Sequence, residues 1–266
     1  MAERPEIGFE PTVREGILCV RRPDTRWLST GWNGGRSRGP AAYNVSVPEG
    51  FERTDLAAYR DERLGRAAFA TEGSAESPVS AEPPGSADYA TLPTLFTGVS
   101  LCHARGARHG SVVAYATAGL SNPAMLPMEP VADDAGSGAV GDRRQEALSD
   151  HPGTVNLIIG TTRHLEAGAA ANLVAVAAEA KATTLLATAG VPGTTSDAIV
   201  VGDDPTGTPA AFSGSATAVG ESTRICVRDA IRASLQSRYP DGEFPGPAAE
   251  AEHGLVAADV AEVFNP

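Results

Sequence analysis

Residues 153–202 constrain the fold more than any other part of the chain. Residues 154–160 form a short apolar run that is rich in β-branched side chains, and this composition predicts a buried strand. The alanine-rich run 165–189 has no proline and no glycine after Gly168, which predicts a long helix. Residues 198–201 are a second apolar run after a Gly-Thr-Thr turn. The stretch therefore predicts a strand–helix–strand unit.

The predicted helix has recognisable end signals and carries a few polar residues. Thr162 is its predicted N-cap, and Gly190 followed by Pro192 predicts its end. Asn172 and Glu179 are two helical turns apart and share a face, whereas Lys181 lies about 200° round from Glu179.

Asp197 stands where the second strand of the unit begins, and Asn156 lies inside the first. A solvated helix stripe of Asn172, Glu179 and Lys181, with Asp197 as a turn cap, explains these residues without any function. A catalytic carboxylate is the alternative, and the spacing leaves both interpretations open.

Charge restricts what this chain can bind. Its 21 basic residues, of which Lys181 is the only lysine, stand against 33 acidic residues, which gives a net charge of −12. No basic field is available to displace counterions, so nucleic acid is not an expected partner. Many acids with almost no lysine favour a protein adapted to concentrated salt, where screening weakens self-repulsion. GC-rich codon usage is the alternative explanation.

Cysteine, histidine and hydropathy patterns indicate a soluble cytoplasmic protein. The three cysteines lie far apart without a C-x-x-C motif, so neither a disulfide framework nor a zinc knuckle is expected. The five histidines lack metal-ligand spacing, so no metal site is expected. No signal-peptide pattern begins the sequence, and the apolar helix contains Glu and Lys, so no membrane segment is expected. The oligomeric state, including a homo-oligomer, stays open.

The predicted architecture is a single α+β domain over residues 1–239. Strands and helices do not alternate strictly, which favours mixed sheets over a doubly wound fold, with an αββα layered sandwich as the alternative. The sequence predicts a flexible insertion at 71–88, an acidic loop at 129–152 and an acidic extension at 240–266. Further strands are predicted at 16–20, 43–47, 92–99 and 111–118, a turn at 21–25, and helices at 55–69, capped by Thr54, and at 213–239.

Four turns rich in Gly, Asn and Thr lie at predicted strand ends, at residues 29–35, 119–123, 160–164 and 193–197. Such turns present amide and hydroxyl groups and let backbone approach a ligand closely, which suits a ligand studded with carboxamides. The motifs of serine hydrolases, zinc peptidases and P-loop proteins do not occur.

Several motifs resemble, in order and spacing, the adenosylcobinamide amidohydrolase family (CbiZ). They are Ser-Thr-Gly-Trp-Asn-Gly-Gly at 29–35, Asn-Val-Ser-Val at 44–47, Thr-Ala-Gly-Leu-Ser-Asn-Pro at 117–123, Gly-Thr-Val-Asn-Leu-Ile-Ile at 153–159, Glu-Ala-Lys at 179–181 and Gly-Thr-Thr-Ser-Asp-Ala-Ile-Val-Val at 193–201. The resemblance covers most of residues 16–238. The insertion, the turn with His164 and Glu166, and the acidic tail depart from the family pattern.

The resemblance implies hydrolysis of one amide bond in cobinamide salvage for cobalamin biosynthesis. The bond joins aminopropanol to the corrin ring of adenosylcobinamide, and the products are adenosylcobyric acid and 1-aminopropan-2-ol. The expected partner is this small-molecule corrinoid, and cobalt enters only as part of it, so no separate cofactor is expected. A corrinoid-binding protein without hydrolase activity is one alternative. An amidase on another substrate, through a nucleophile such as Thr30, is the other.

Roles for individual residues follow from the chemistry rather than from the resemblance. Hydrolysis needs an activated water and donors for the developing oxyanion, so Asp197 and Glu179 are the predicted catalytic carboxylates. Parallel pairing of the two strands would leave Asp197 at the edge opposite the carboxyl end of the first strand. The predicted substrate-binding residues are Thr30, Asn33, Gly34, Gly35, Asn44, Ser121, Asn122, Asn156, Thr162 and Thr194.

Overall fold

A computed structural model describes residues 8–69, 92–128, 153–245, 254–257 and 260–265. The predicted insertion at 71–88 and the predicted acidic loop at 129–152 lie outside these residues. The strands are β1 (Glu10–Arg14), β2 (Ile17–Ser29), β3 (Gly35–Ser46), β4 (Thr94–Thr97), β5 (Arg105–His109), β6 (Val112–Ala118), β7 (Pro123–Met125), β8 (Val155–Leu165), β9 (Gly193–Thr194), β10 (Ala198–Ala210) and β11 (Leu255–Val256). The helices are α1 (Leu56–Arg66), α2 (Ala167–Ala189) and α3 (Ala218–Arg238).

Within the described residues, most strands belong to one mixed sheet of eight strands. Its order is β4-β3-β2-β10-β8-β6-β5, with β1 paired to β2. The pairs β8–β10 and β3–β4 are parallel, and the other pairs in this sheet are antiparallel. A small second sheet joins β11, β7 and β9. The prediction of an α+β domain with mixed sheets and a long alanine-rich helix after a central strand is confirmed.

The buried hydrophobic side chains of the described residues form three clusters, and successive residues along a strand contribute to different clusters. The first joins α2 and α3 to one face of the sheet, including Ala114, Ala116, Leu157, Ile159 and Val201. The next residues along these strands, including Val113, Tyr115, Ile158 and Val200, belong to the second cluster with Leu18, Val20, Trp27 and Ala42. The third joins Tyr59 of α1 to Ile17, Cys19, Tyr43 and Val45.

Because side chains alternate between the faces of a strand, these clusters show a sheet folded over on itself. The β6–β8–β10 part packs face to face on the β2–β3 part. Helices α2 and α3 cover one outer face, and α1 covers the other. This is the helix–sheet–sheet–helix layering that the sequence offered as its alternative.

The strand–helix–strand unit is present, but its helix starts later than predicted. Thr162 is not the N-cap, because β8 continues to Leu165 and the cap position is Glu166. Pairing of residues 163–165 with residues 208–210 of β10 extends the strand. Gly190 ends α2 in a left-handed conformation, as predicted.

Two other local predictions were wrong. Residues 21–25 are not a turn but a register shift inside the long strand β2, with Asp24 at a φ of 56°. Thr54 does not cap α1, because Asp55 is the cap and its carboxylate accepts the Ala58 N–H at 3.1 Å.

Helix α2 is the one helix in the described part of the chain with the length and apolar composition to cross a membrane. In this fold its buried side chains belong to the first core cluster, against the sheet and α3. The C-terminal residues return to the domain, since β11 pairs in parallel with β7.

Candidate functional site

The segments 29–35, 119–123 and 193–197, which are rich in Gly, Asn and Thr, meet at the amino ends of β8 and β10. Three backbone hydrogen bonds join the segments there: Thr30 N–H to the Ile199 carbonyl, Gly119 N–H to the Thr154 carbonyl and Thr195 N–H to the Asn122 carbonyl. We call this region the polar edge. It comprises Thr30, Asn44, Thr117, Ser121, Asn122, Thr154, Asn156, Lys181, Thr194 and Asp197.

Asp197 is the carboxylate of the polar edge, and its oxygens are fully engaged. Oδ1 accepts the Val155 N–H at 2.8 Å and the Thr194 hydroxyl. Oδ2 accepts the Thr194 N–H at 3.1 Å and forms an ion pair with Lys181, and both side chains of this pair are mostly buried. Four donors fill the lone-pair sites of a carboxylate. Asp197 therefore ties α2, β9 and the start of β8 together.

Gly193 makes room for this ion pair. A Cβ at that position would lie 2.7 Å from Asp197 Oδ2 and 2.9 Å from Lys181 Nζ. The Gly-Thr-Thr turn thus has a packing reason for its glycine and a hydrogen-bonding reason for Thr194.

Asn44 and Asn156 lie inside the molecule, between the two parts of the sheet. Asn156 Nδ2 donates to Asn44 Oδ1 at 3.0 Å and to the Phe96 carbonyl at 2.8 Å. Asn44 Nδ2 donates to Thr117 Oγ1 at 2.9 Å. Both asparagines are almost completely buried. Each carboxamide is therefore satisfied by the protein, an arrangement that favours a role in joining the layers.

The turn at residues 29–35 is a tight hairpin connection between β2 and β3. Asn33 has a φ of 48° and Gly35 a φ of 110°, as predicted for a turn that needs left-handed backbone. A Cβ on Gly34 would collide with the Ser29 carbonyl. Asn33, Gly34 and Gly35 are exposed.

Thr30 continues the ladder between β2 and β10. Its hydroxyl accepts the Ile199 N–H at 2.9 Å and approaches the Ile199 carbonyl at 3.3 Å. This double contact occupies the hydroxyl that the nucleophile hypothesis requires.

Ser121 and Asn122 lie against Gly153, the residue before Thr154. A Cβ on Gly153 would lie 2.5 Å from Ser121 N and 2.6 Å from Asn122 N, so only glycine allows this close packing. Asn122 as a whole residue is 5% exposed. Its Oδ1 has no hydrogen-bond partner in the part of the chain that the structure describes.

The structure places two predicted site residues away from the polar edge. Thr162 lies seven residues along β8 from Val155, roughly 23 Å away at the opposite end of the sheet. Glu179 is half exposed and forms an ion pair with Arg224 of α3 at 2.7 Å. The parallel pairing of β8 and β10 separates Thr162 from Asp197, and the site residues gather at the amino ends of these strands rather than at their carboxyl ends.

Three members of the polar edge were not among the predicted site residues. Thr117 and Thr154 belong to the quoted motifs, and strand alternation places Thr117 on the same face as Tyr115 of the inner cluster. Lys181 was recognised only as a polar residue on another helix face. Its being the only lysine was the available signal.

The Arg238 guanidinium lies beside the Gly119 turn, and His103 lies nearby. The His103 ring contacts Ser237 Oγ at 3.0 Å, and the Arg238 guanidinium would be 3.5 Å from a Cβ on Gly119. Burial, followed by the positive charges of Arg238 and Arg105, lowers the pKa of His103 below its ordinary value. Neutral imidazole is therefore favoured there. No group of three His, Cys, Asp or Glu residues within the described ranges is arranged to hold a metal ion.

Fold and site together define a four-layer α+β protein with a polar edge of carboxamides, hydroxyls and one fixed carboxylate. A sequence profile of the CbiZ family, adenosylcobinamide amidohydrolase, matches residues 85–243. The chain is 49% identical over 258 residues to the "Adenosylcobinamide amidohydrolase" of Halobacterium salinarum, covering 97% of this chain and 100% of that protein. The chain belongs to the adenosylcobinamide amidohydrolase family.

A solved structure gives a much weaker match. It is the L-aminopeptidase D-Ala-esterase/amidase of Ochrobactrum anthropi, at 11% identity and a TM-score of 0.32, over 86% of this chain and 82% of that one. A similarity of this size supports no argument about fold or activity.

Proposed function

We propose that the protein hydrolyses the amide that joins aminopropanol to the corrin ring of adenosylcobinamide. The products are adenosylcobyric acid and 1-aminopropan-2-ol, which returns an incomplete corrinoid to cobalamin biosynthesis. The observation that carries the proposal is the 49% identity along nearly the whole chain to a protein of that name. The family match at 85–243 includes Asn122, Thr154, Lys181 and Asp197.

The reaction adds water to the amide carbon, after which the C–N bond breaks and the amine leaves with a proton. It needs groups that orient the amide, support the oxyanion and accept the proton of water. Asp197 is held by four donors, so we assign it a positioning role: with Lys181 it fixes the start of β8 and the 193–197 turn. We assign the binding of the carboxamide-rich ligand to Ser121, Asn122 and the exposed turn residues Asn33 to Gly35.

The proposal places the protein in the cytoplasm, with the corrinoid as its small-molecule partner. Cobalt takes part only as a component of that substrate. The net charge of −12 supports the exclusion of nucleic acid. Oligomerisation is not needed by the proposal, because the polar edge is built from a single chain.

Incubation of the purified protein with adenosylcobinamide in concentrated KCl, without ATP, tests the proposal. We expect equimolar adenosylcobyric acid and 1-aminopropan-2-ol by mass spectrometry, and ¹⁸O from labelled water in the new carboxylate. Glu179→Gln is the matched control variant, since its exposed ion pair lies outside the polar edge, and it should retain turnover.

Two results would count against the hydrolase proposal. Binding of the corrinoid with its aminopropanol arm intact would favour the carrier alternative. Two protein fragments by intact-mass measurement, together with turnover of other amides but not of cobinamide, would favour a self-processing amidase on another substrate.

A further inference from the structure

Asn122 carries a buried acceptor for which the described residues provide no donor. Three buried side-chain atoms lack a hydrogen-bond partner within the described residues: Ser37 Oγ, Asn122 Oδ1 and Arg163 Nε. Ser37 lies in β3 opposite Trp27, and Arg163 lies near the carboxyl end of β8. Asn122 is therefore the one of the three at the polar edge. An unsatisfied buried acceptor is unfavourable, so it calls for an explanation.

The position of Asn122 is fixed by its backbone. Its carbonyl accepts the Thr195 N–H at 3.1 Å, and the next residue, Pro123, pairs with Thr194. On the other side it packs against Gly153, where any side chain would collide with it. The backbone that carries the unsatisfied oxygen is thus held between Gly153 and the turn that contains Asp197.

The same fold satisfies its other buried carboxamides at this edge. Asn44 and Asn156 bond to each other, to Thr117 and to the Phe96 carbonyl. Because a structural carboxamide receives partners from the protein, the contrast with Asn122 indicates a partner that comes from outside the chain.

We infer that Asn122 Oδ1 accepts a hydrogen bond from the N–H of the amide that is hydrolysed. This inference rests on the proposed function. One fixed acceptor matches the single N–H of a secondary amide and fixes the direction of that N–H. Because the N–H lies in the plane of the amide, this contact covers neither face of the carbonyl carbon and leaves it open to water. Water oxygen bonds to carbon, the C–N bond breaks, and one water proton goes to nitrogen while the other leaves with the acid. The departing amine keeps its N–H on Oδ1.

Asn122→Leu and Asn156→Leu provide a matched pair of tests, since both replace a buried asparagine with an apolar residue of similar size. No described residue donates a hydrogen bond to Asn122 Oδ1, so Asn122→Leu should unfold at the same or a higher denaturant concentration than the parent. Asn156→Leu leaves Asn44 Oδ1 and the Phe96 carbonyl without their donor and should unfold much earlier.

We expect kcat/KM for adenosylcobinamide to fall about tenfold or more in Asn122→Leu. Asn122→Asp keeps an oxygen acceptor and should retain more activity.

Product inhibition separates the two possible N–H sources in the substrate. Adenosylcobyric acid lacks the aminopropanol arm but keeps the ring carboxamides. If Oδ1 binds the arm, Asn122→Leu should leave the inhibition constant of adenosylcobyric acid unchanged. A parallel loss of product binding would assign Oδ1 to a ring carboxamide and overturn the inference.

Loss of stability in Asn122→Leu comparable with that in Asn156→Leu, with kcat/KM unchanged, would also overturn the inference by making Asn122 structural. If Asn122→Leu does not fold, Asn122→Asp takes its place in the test. A folded Asn122→Asp variant with the kcat/KM of the parent and normal product binding would support the inference. A loss of product binding in that variant would contradict the inference. Absence of turnover in the parent protein would refute the proposed function itself, which keeps the two failures distinguishable.

Discussion

At the scale of single residues, the chain uses its only lysine to hold its best-placed carboxylate. Lys181 and Asp197 form a mostly buried ion pair, and the lysine ammonium is a compact charge on a slender stem. The space around it is small, since a Cβ on Gly193 would already lie 2.9 Å from Nζ. An arginine, which serves at the other 20 basic positions, would bring a wider guanidinium into this space. The ion pair therefore explains why this position departs from the arginine bias of the chain.

Asp197→Asn should destabilise the protein strongly. The amide would leave the buried Lys181 ammonium without its counter-charge and turn an NH₂ group towards existing donors. Breaking a buried pair in this way costs about 3–5 kcal/mol. Denaturant unfolding measures the loss.

Glu179→Gln is the control for Asp197→Asn, because it breaks an exposed pair with Arg224. The expected change is about 0–1 kcal/mol. Equally small losses in both variants, with turnover lost only in Asp197→Asn, would instead return Asp197 to the catalytic role that the sequence suggested.

At the scale of secondary-structure elements, the sequence correctly predicted the features that depend on neighbouring residues. The apolar run at 154–160 and the alanine-rich run that follows are a strand and a helix, and Gly190 ends the helix. The position at which the helix begins depends on distant residues. Asp203 of β10 accepts the Leu165 N–H at 3.0 Å and pairs with Arg26 of β2, which holds residue 165 in the strand. Capping preferences near Thr162 could not reveal this.

The polar edge was also predictable only in part, because some of its features are local in the sequence and others depend on contacts between distant residues. The turns rich in Gly, Asn and Thr, together with the chemistry of amide hydrolysis, identified Thr30, Asn122, Thr194 and Asp197 as candidates, and the structure brings them to one edge. The inward direction of Asn44 depends on how β3 folds over β8, a contact between residues 112 positions apart. No periodicity within a single strand records such a contact.

Two glycines in neighbouring strands shape the space between the sheet layers. Gly160 of β8 and Gly202 of β10 are register partners. A Cβ on Gly160 would overlap the Phe9 ring, and one on Gly202 would overlap the Trp27 ring. The two rings contact each other edge to face, with centroids 5.9 Å apart. The glycines thus form a flat floor on which both aromatic side chains pack.

Gly202→Ala should destabilise the protein, because the added methyl group forces Trp27 out of its place. Overpacking of this kind costs about 1–3 kcal/mol. The midpoint of denaturant unfolding is the measurement. Gly168→Ala in the first turn of α2 is the control, since nothing lies within 4 Å of its Cβ position and alanine favours a helix. A midpoint that is unchanged in Gly202→Ala, with Trp27 fluorescence also unchanged, would contradict this account of the layer spacing.

At the scale of the whole molecule, negative charge is spread unevenly along the sequence. Residues 240–266 contain six acids and no lysine or arginine, so they account for −6 of the net −12 and leave −12 − (−6) = −6 for residues 1–239. The described part of this tail returns to the domain through β11, which pairs with β7 beyond the polar edge. Self-repulsion among these charges opposes the folded state in dilute buffer and weakens as ions screen it.

Thermal stability should therefore rise with KCl concentration from low salt to the molar range. The Debye length falls from about 10 Å at 0.1 M to about 3 Å at 1 M salt, so most of the gain should come below 1 M if screening is the cause. Circular dichroism melting curves across this range measure the effect.

A variant with Asp241, Glu243, Glu250, Glu252, Asp259 and Glu262 changed to their amides has the same length and half the net charge. Its melting temperature should be higher in dilute buffer and should depend less on KCl, with the two proteins converging in molar salt. A melting temperature of the parent that is flat across the range would contradict salt adaptation and leave codon usage as the explanation of the composition. A parallel rise in both proteins would place the effect in residues 1–239 instead of in the acidic tail.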